Sequence, residues 1–106
     1  MNGIEQISFE IIASVGTARS CFIEAIQCAK NNNFEQASQR MEEGEENFIH
    51  GHHAHARLIQ QEANQELNNI TLLLVHAEDQ LMSAEGFKII AQEFIDLYQK
   101  LSINLQ

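Results

Sequence analysis

The chain has 106 residues, 44% of them hydrophobic, with 15 acidic against 6 basic side chains and a formal net charge of −9. That is enough apolar material for one modest core, so residues 1–106 form a single domain. Six scattered cations build no basic patch, which excludes nucleic-acid and anionic-membrane binding.

Proline is absent, and Val15 and Val75 are the only valines, so helices can run unbroken and an all-α fold follows. Helix one begins near Asn2, where Asn2-x-x-Glu5 resembles a capping box. Its stripe is Ile4, Ile7, Ile11, Val15, Ala18, Phe22, Ala25 and Ala29, at spacings of three or four. It is expected to stop at Asn31-Asn32-Asn33, residues that favour turns and caps. Within it, Gly16-Thr17-Ala18-Arg19-Ser20 reads as a close-packing segment, with Arg19 placed to pair with Asp79 or Glu78. Cys21 and Cys28 fall on one stripe about 10 Å apart along the axis, too far for a disulfide. They read as free core thiols of a reducing compartment.

Helix two starts at Asn33 or Phe34, with an Asn-x-x-Gln signature, and runs through Ala37, Met41, Phe48, Ala54, Leu58 and Ile59 to about Ala63. Glu42-Glu43-Gly44-Glu45-Glu46 reads as a solvated acidic face and the weak point of the helix, since glycine costs ~1 kcal/mol relative to alanine. In His50-Gly51-His52-His53-Ala54-His55, the i,i+3 pairs allow chelation of a transition metal. Cysteine or carboxylate ligands at zinc-site spacing are missing, so surface or interface polarity is the preferred reading.

The second turn lies within Gln60–Asn69, and helix three runs from about Asn68 to Leu101 or beyond. Its seam is Ile70, Leu74, Ala77, Leu81, Ala84, Phe87, Ala91, Phe94, Tyr98 and Leu101. Leu72, Leu73, Val75 and Met82 lie off that seam, so the first turns are apolar around most of their circumference. A small bundle leaves one face of each helix to water. The excess therefore predicts an oligomer of identical chains, with the His76 region at or beside the interface.

His76 is the one histidine outside residues 50–55. A ring set in so apolar a stretch is either satisfied by a partner or there for chemistry. Asp79, three residues on, shares its helix face and is placed to accept an imidazole N–H, leaving the second ring nitrogen to attack phosphorus. Glu78 and Gln80 add polar groups beside the apolar wall, and His52 or His55 of helix two is expected to line the pocket in the oligomer. No serine, cysteine or second histidine stands at triad-like spacing, which argues against hydrolysis. The reading is a phosphoryl-accepting His76, the alternative a packed histidine bonded to a carbonyl or carboxylate. If symmetry gathers several Asp79 side chains, their repulsion calls for a divalent cation with oxygen ligands, Mg2+ by default. An Asp79 that only fixes the histidine tautomer is the other outcome.

Three stretches resemble the IIA components of the lactose/cellobiose (N,N'-diacetylchitobiose) branch of the bacterial phosphoenolpyruvate:sugar phosphotransferase system (PTS). They are Ile11–Ser20 followed by Glu24-Ala25, then Asn33–Ala37 with Leu58-Ile59, and, most specifically, Leu72–Met82, where the family reads V-H-A-Q-D-H-L-M. The resemblance implies an antiparallel three-helix subunit that trimerises into a nine-helix bundle. It implies that His76 takes a phosphoryl group from the phosphohistidine of HPr and passes it to a cysteine of a IIB component. It carries the family's metal position, on the trimer axis, onto Asp79. Glu78 and Gln80 depart from the motif's glutamine and histidine; Glu78 adds negative charge beside the site and is expected to raise the pKa of His76. The rival to the relay is a non-catalytic adaptor or regulator of the same fold. Met1–Gln6 lacks the basic start and apolar block of a signal peptide, and no apolar run reaches the ~18 residues of a membrane span, so a cytoplasmic protein is expected.

Overall fold

The computed structural model describes residues 3–104, and the cap expected at Asn2 lies outside them. Three helices account for nearly all of it: α1 over Gly3–Lys30, α2 over Phe34–Ala63 and α3 over Leu72–Asn104. At about 1.5 Å per residue such helices make a rod, and the principal extents are 59 × 19 × 17 Å.

The helix ends follow from local chemistry. After α1, Asn32 adopts φ 65°, its N–H donates to the Ala29 carbonyl at 3.0 Å, and the Asn33 N–H donates to Cys28 at 2.8 Å. This 5→2 and 6→1 pair is the Schellman arrangement, with asparagine where glycine usually stands. The same closure ends α2: Gln65 has φ 62°, with its N–H on Glu62 at 3.0 Å and the Glu66 N–H on Gln61 at 2.8 Å. Asn33 precedes α2, as the sequence predicts, but its side chain makes no capping hydrogen bond. Helix three opens at Leu72 and not at Asn68. Thr71 is its cap, the hydroxyl accepting the Leu74 N–H at 3.1 Å, and the polar segment before it stays irregular.

α1 is the central element. Ile7, Ile11, Val15, Ala18, Phe22, Ala25 and Ala29 are all buried, and Ile4 is half-buried, so the predicted stripe is the observed one. Against it pack Ala37, Ala54 and Leu58 from α2, and Leu74, Ala77, Leu81, Ala84, Ala91 and Ile95 from α3. The order is up-down-up: α2 is antiparallel to α1, and α3 is parallel to it. α2 and α3 approach each other less closely than either approaches α1.

Two expectations change. Gly44, read as the weak point of a solvated acidic face, is buried. A Cβ there would lie 2.5 Å from Cε1 of Phe22, and one at Gly51 would lie 2.6 Å from Cγ1 of Val15. These glycines let α2 approach α1 closely, while Glu42 and Glu46 remain exposed. In α3 the core line passes through Ile95, and Phe94 (41% exposed) and Leu101 (45%) face outward. A straight helix of 3.6 residues per turn drifts off a 3.5-residue seam, which moves the core position by one residue along α3.

Candidate functional site

His76 and Asp79 lie in the opening turns of α3, just beyond the Thr71 cap. The core-facing side there belongs to Leu74, Ala77 and Leu81, all buried. His76 and Asp79 point away from it, and both are exposed. The stretch around the ring is therefore not enclosed within one chain: Leu72, Val75 and Met82 are 84%, 50% and 67% exposed. Sequence periodicity counts apolar residues but does not say which face another helix of the chain will cover. Among the described residues, neither His76 nor Asp79 takes part in a side-chain hydrogen bond or ion pair. The imidazole is thus open to an incoming group, and the hydrogen bond from ring to Asp79 is not formed.

The neighbours sort themselves by direction. Glu78, two residues past His76, leaves the helix about 200° around from it. Its Oε1 lies 2.6 Å from Nε2 of His55 on α2. The added carboxylate therefore reaches α2, away from the His76 ring. His55 and Glu78 stand at one end of an open groove of ≈ 390 Å³ lined also by Leu58, Leu74 and Val75. His55 lies in this groove between α2 and the first turns of α3, and His76 does not line it. His52 is exposed and stacks on Phe48, with ring centroids 6.4 Å apart. Gln80 is half-buried. Arg19 pairs with neither Asp79 nor Glu78; its Nη1 donates to Ser83 Oγ at 3.3 Å, one turn further along α3.

Other polar links were not legible from local sequence. Lys88 of α3 pairs with Glu45 of α2 and sits 5.8 Å over the Phe48 ring, in the antiparallel register that also joins His55 to Glu78. Arg57 pairs with Glu10 across α1 and α2. Antiparallel pairing of a cation on α3 with the acidic run of α2 was the available signal. His50 and His53 are exposed, and no three His, Cys, Asp or Glu side chains among the described residues converge on a metal position. Asp79 offers a hard oxygen donor that suits Mg2+, but one chain supplies one such carboxylate, so the fit requires further copies. Cys21 is buried, Cys28 half-buried, and both are free thiols. Burial, with Glu43 and Glu24 nearby, pushes the Cys21 thiol above its ordinary value despite the opposing Arg40.

His76 thus stands on an outward, largely apolar face of an all-helical protein. A family model described as the PTS system, lactose/cellobiose specific IIA subunit, matches residues 6–99. The chain belongs to that family. It is 42% identical over 99 residues to the lichenan-specific phosphotransferase enzyme IIA component of Bacillus subtilis, covering 93% of this chain and 90% of that one. The crystal structure of the PTS cellobiose-specific enzyme IIA from Bacillus anthracis superposes with a TM-score of 0.94 at 44% identity, covering 97% and 94% of the two chains. The solution structure of the IIA(chitobiose)–HPr complex of the N,N'-diacetylchitobiose branch of the Escherichia coli system gives 0.82 at 27% identity, covering 96% and 99%.

Proposed function

We propose that this protein is a phosphocarrier of a sugar phosphotransferase system, with His76 as its phosphoryl acceptor and HPr and a IIB component as its partners. The observation that carries the reading is the solvent-facing imidazole beside Asp79, inside the stretch that most specifically resembles the family. A ring nitrogen of His76 attacks the phosphorus of phospho-HPr. A new N–P bond forms, the donor's N–P bond breaks, and the donor imidazole keeps the electron pair. In the second step a cysteine thiolate of IIB attacks the same phosphorus; an S–P bond forms, the N–P bond to His76 breaks, and the His76 imidazole keeps the electron pair. The complex solved for the chitobiose relative supports HPr as donor. Relatives named for lichenan, cellobiose and N,N'-diacetylchitobiose support uptake of a β-linked disaccharide. No described helix is long and apolar enough to cross a membrane, which agrees with a cytoplasmic carrier.

The carrier works as a homotrimer in this reading. Leu72, Val75, Met82, Ile90, Phe94, Leu97 and Leu101, all exposed, form a second seam on α3 opposite the first, with Asp79 and Gly86 at the intervening positions. Such a seam needs a partner helix, and three copies of α3 give the nine-helix bundle. Three Asp79 carboxylates would then hold a divalent cation, which offsets their mutual repulsion. The alternative, a non-catalytic adaptor of the same fold, draws on the charge of Glu78, whose carboxylate pairs with His55 of α2.

Incubation with phosphoenolpyruvate, Enzyme I and HPr is expected to add one phosphate to the wild type, read by intact mass under mildly alkaline conditions, and none to His76→Ala. A folded wild type that stays unmodified beside charged HPr sinks the reading and leaves the adaptor.

A further inference from the structure

Among the described residues, Arg19 is the half-buried cation without a carboxylate partner: Arg40 pairs with Glu43 and Lys88 with Glu45. Its Nη1 donates to the neutral Ser83 Oγ at 3.3 Å, which leaves most of the guanidinium N–H groups uncommitted. In a chain with 15 acidic residues such a cation is expected to find an acid, yet no described carboxylate of its own chain reaches it. The two flanks of the outward seam on α3 differ in charge. Counting round the helix from Asp79, Ser83 lies about 40° to one side, and that flank continues through His76, Gln80 and Phe87 without a carboxylate. Glu85 lies about 120° to the other side, with Glu78 and Asp96 on the same flank. Glu85 is exposed and takes part in no side-chain hydrogen bond or ion pair among the described residues.

We propose, on the homotrimer reading, that Arg19 of one copy pairs with Glu85 on α3 of the next. When parallel helices close a ring about an axis, one flank of each meets the opposite flank of its neighbour. The flank beside Arg19 then faces the acidic one at every junction. Glu85 stands two residues beyond Ser83, about 3 Å along the axis, so copies in register bring it to the level of the Arg19 guanidinium. Arg19 belongs to α1, outboard of α3, and therefore reaches a sideways-pointing carboxylate and not one in the seam. Antiparallel copies would set like flanks together and leave Arg19 without an acid. The pair thus selects the parallel ring over an antiparallel dimer, a choice that the apolar residues of the seam do not make by themselves.

The test is the chain concentration at which half of the protein is assembled, read by sedimentation velocity across a dilution series. Arg19→Glu is expected to raise it about tenfold, because the pair at every junction turns repulsive at once. Glu85→Arg should do the same. The double variant, Arg19→Glu with Glu85→Arg, restores attraction with the charges exchanged and should return to within about threefold of the wild type. Ser83→Ala removes the bond within the chain but keeps the charge, and should stay within about twofold. Circular dichroism checks that each variant keeps its helices. The decisive arm mixes Arg19→Glu chains with Glu85→Arg chains. A mixed ring regains attraction wherever unlike chains adjoin, so the mixture should assemble at a lower concentration than either variant alone; a pair formed inside one chain gains nothing by mixing. A single variant that assembles like the wild type, a double variant no better than the singles, or a mixture without gain overturns the proposal. A wild type that sediments at the 12.0 kDa of one chain defeats the trimer reading itself, and the pairing with it.

Discussion

The seam between α1 and α2 and the outward face of α3 are built from similar materials, apolar residues at helical spacing interrupted by glycine, yet they end in opposite states. Between α1 and α2, Phe22 and Val15 are shut away from water and Gly44 and Gly51 leave them room. On α3, Ile90, Phe94 and Leu97 are 51%, 41% and 50% exposed, and a Cβ on Gly86 would meet nothing within 4 Å. The first region completes the fold of one chain. The second is unfinished as it stands, and it carries His76. Folding thus uses one face of the helices, and the proposed chemistry lies on the other, which the chain alone cannot cover.

The sharpest way to break this contrast is to damage each face in turn. Phe22→Ala removes a fully buried ring and should lower the unfolding free energy by about 3–5 kcal/mol, read from urea denaturation at one fixed protein concentration. Ile90→Asp with Leu97→Asp removes nothing from the core of the chain and should leave its helical content in place. The sedimenting mass should instead fall to the 12.0 kDa of a single chain. If the paired variant keeps the mass of the wild type, the outward face of α3 is not an interface.

The glycines sharpen the same comparison at smaller scale. Alanine has the better helix propensity by about 1 kcal/mol, but at position 44 its Cβ would press on a ring that is fully buried. Overpacking of this kind costs about 1–3 kcal/mol, so Gly44→Ala should be net destabilising by about 1 kcal/mol. Gly86→Ala meets no such obstacle within the chain and should stabilise it by up to about 1 kcal/mol. Under the trimer reading it sits in the α3 seam, where the added methyl groups weaken assembly. Denaturation midpoints measured across a range of concentrations separate the two terms. A Gly44→Ala variant more stable than the wild type would show that Phe22 yields.

What the sequence discloses divides along the same line. The α1 stripe from Ile7 to Ala29 is read correctly at every position because that helix has one answer: it is central, and its apolar face meets the rest of the bundle. Asn32 marks its end because an asparagine tolerates the left-handed turn required there. That His76 and Asp79 fall on one outward side of α3 is legible because i,i+3 spacing is local, although the hydrogen bond expected between them is not formed. The direction of Glu78 is not, since its partner His55 lies on another helix, and periodicity fixes a face without naming its neighbour. Phe94 and Ile95 were exchanged for a related reason: adjacent apolar residues both fit a seam until the drift of a straight helix selects one. Gly44 was misjudged because four glutamates around it dominate the local pattern, while the ring that needs its missing Cβ belongs to α1.

The smallest effect concerns Cys21, which belongs to the finished side of the molecule. Burial, with Glu43 and Glu24 beside it, holds the native thiol above the ordinary value of 9.0. In the unfolded chain the thiol ionises at that ordinary value, so above about pH 9 the unfolded state loses a proton that the native state retains. The stabilisation is therefore complete below the unfolded pKa and is lost as pH rises toward the native one. A thiol reagent at pH 8 should accordingly label the half-buried Cys28 first, with Cys21 reacting in step with unfolding as urea is added. Equal labelling rates for the two thiols in the native protein would show that the α1–α2 seam around Cys21 opens as readily as the half-buried surface at Cys28, and Cys21 would not belong to a closed side.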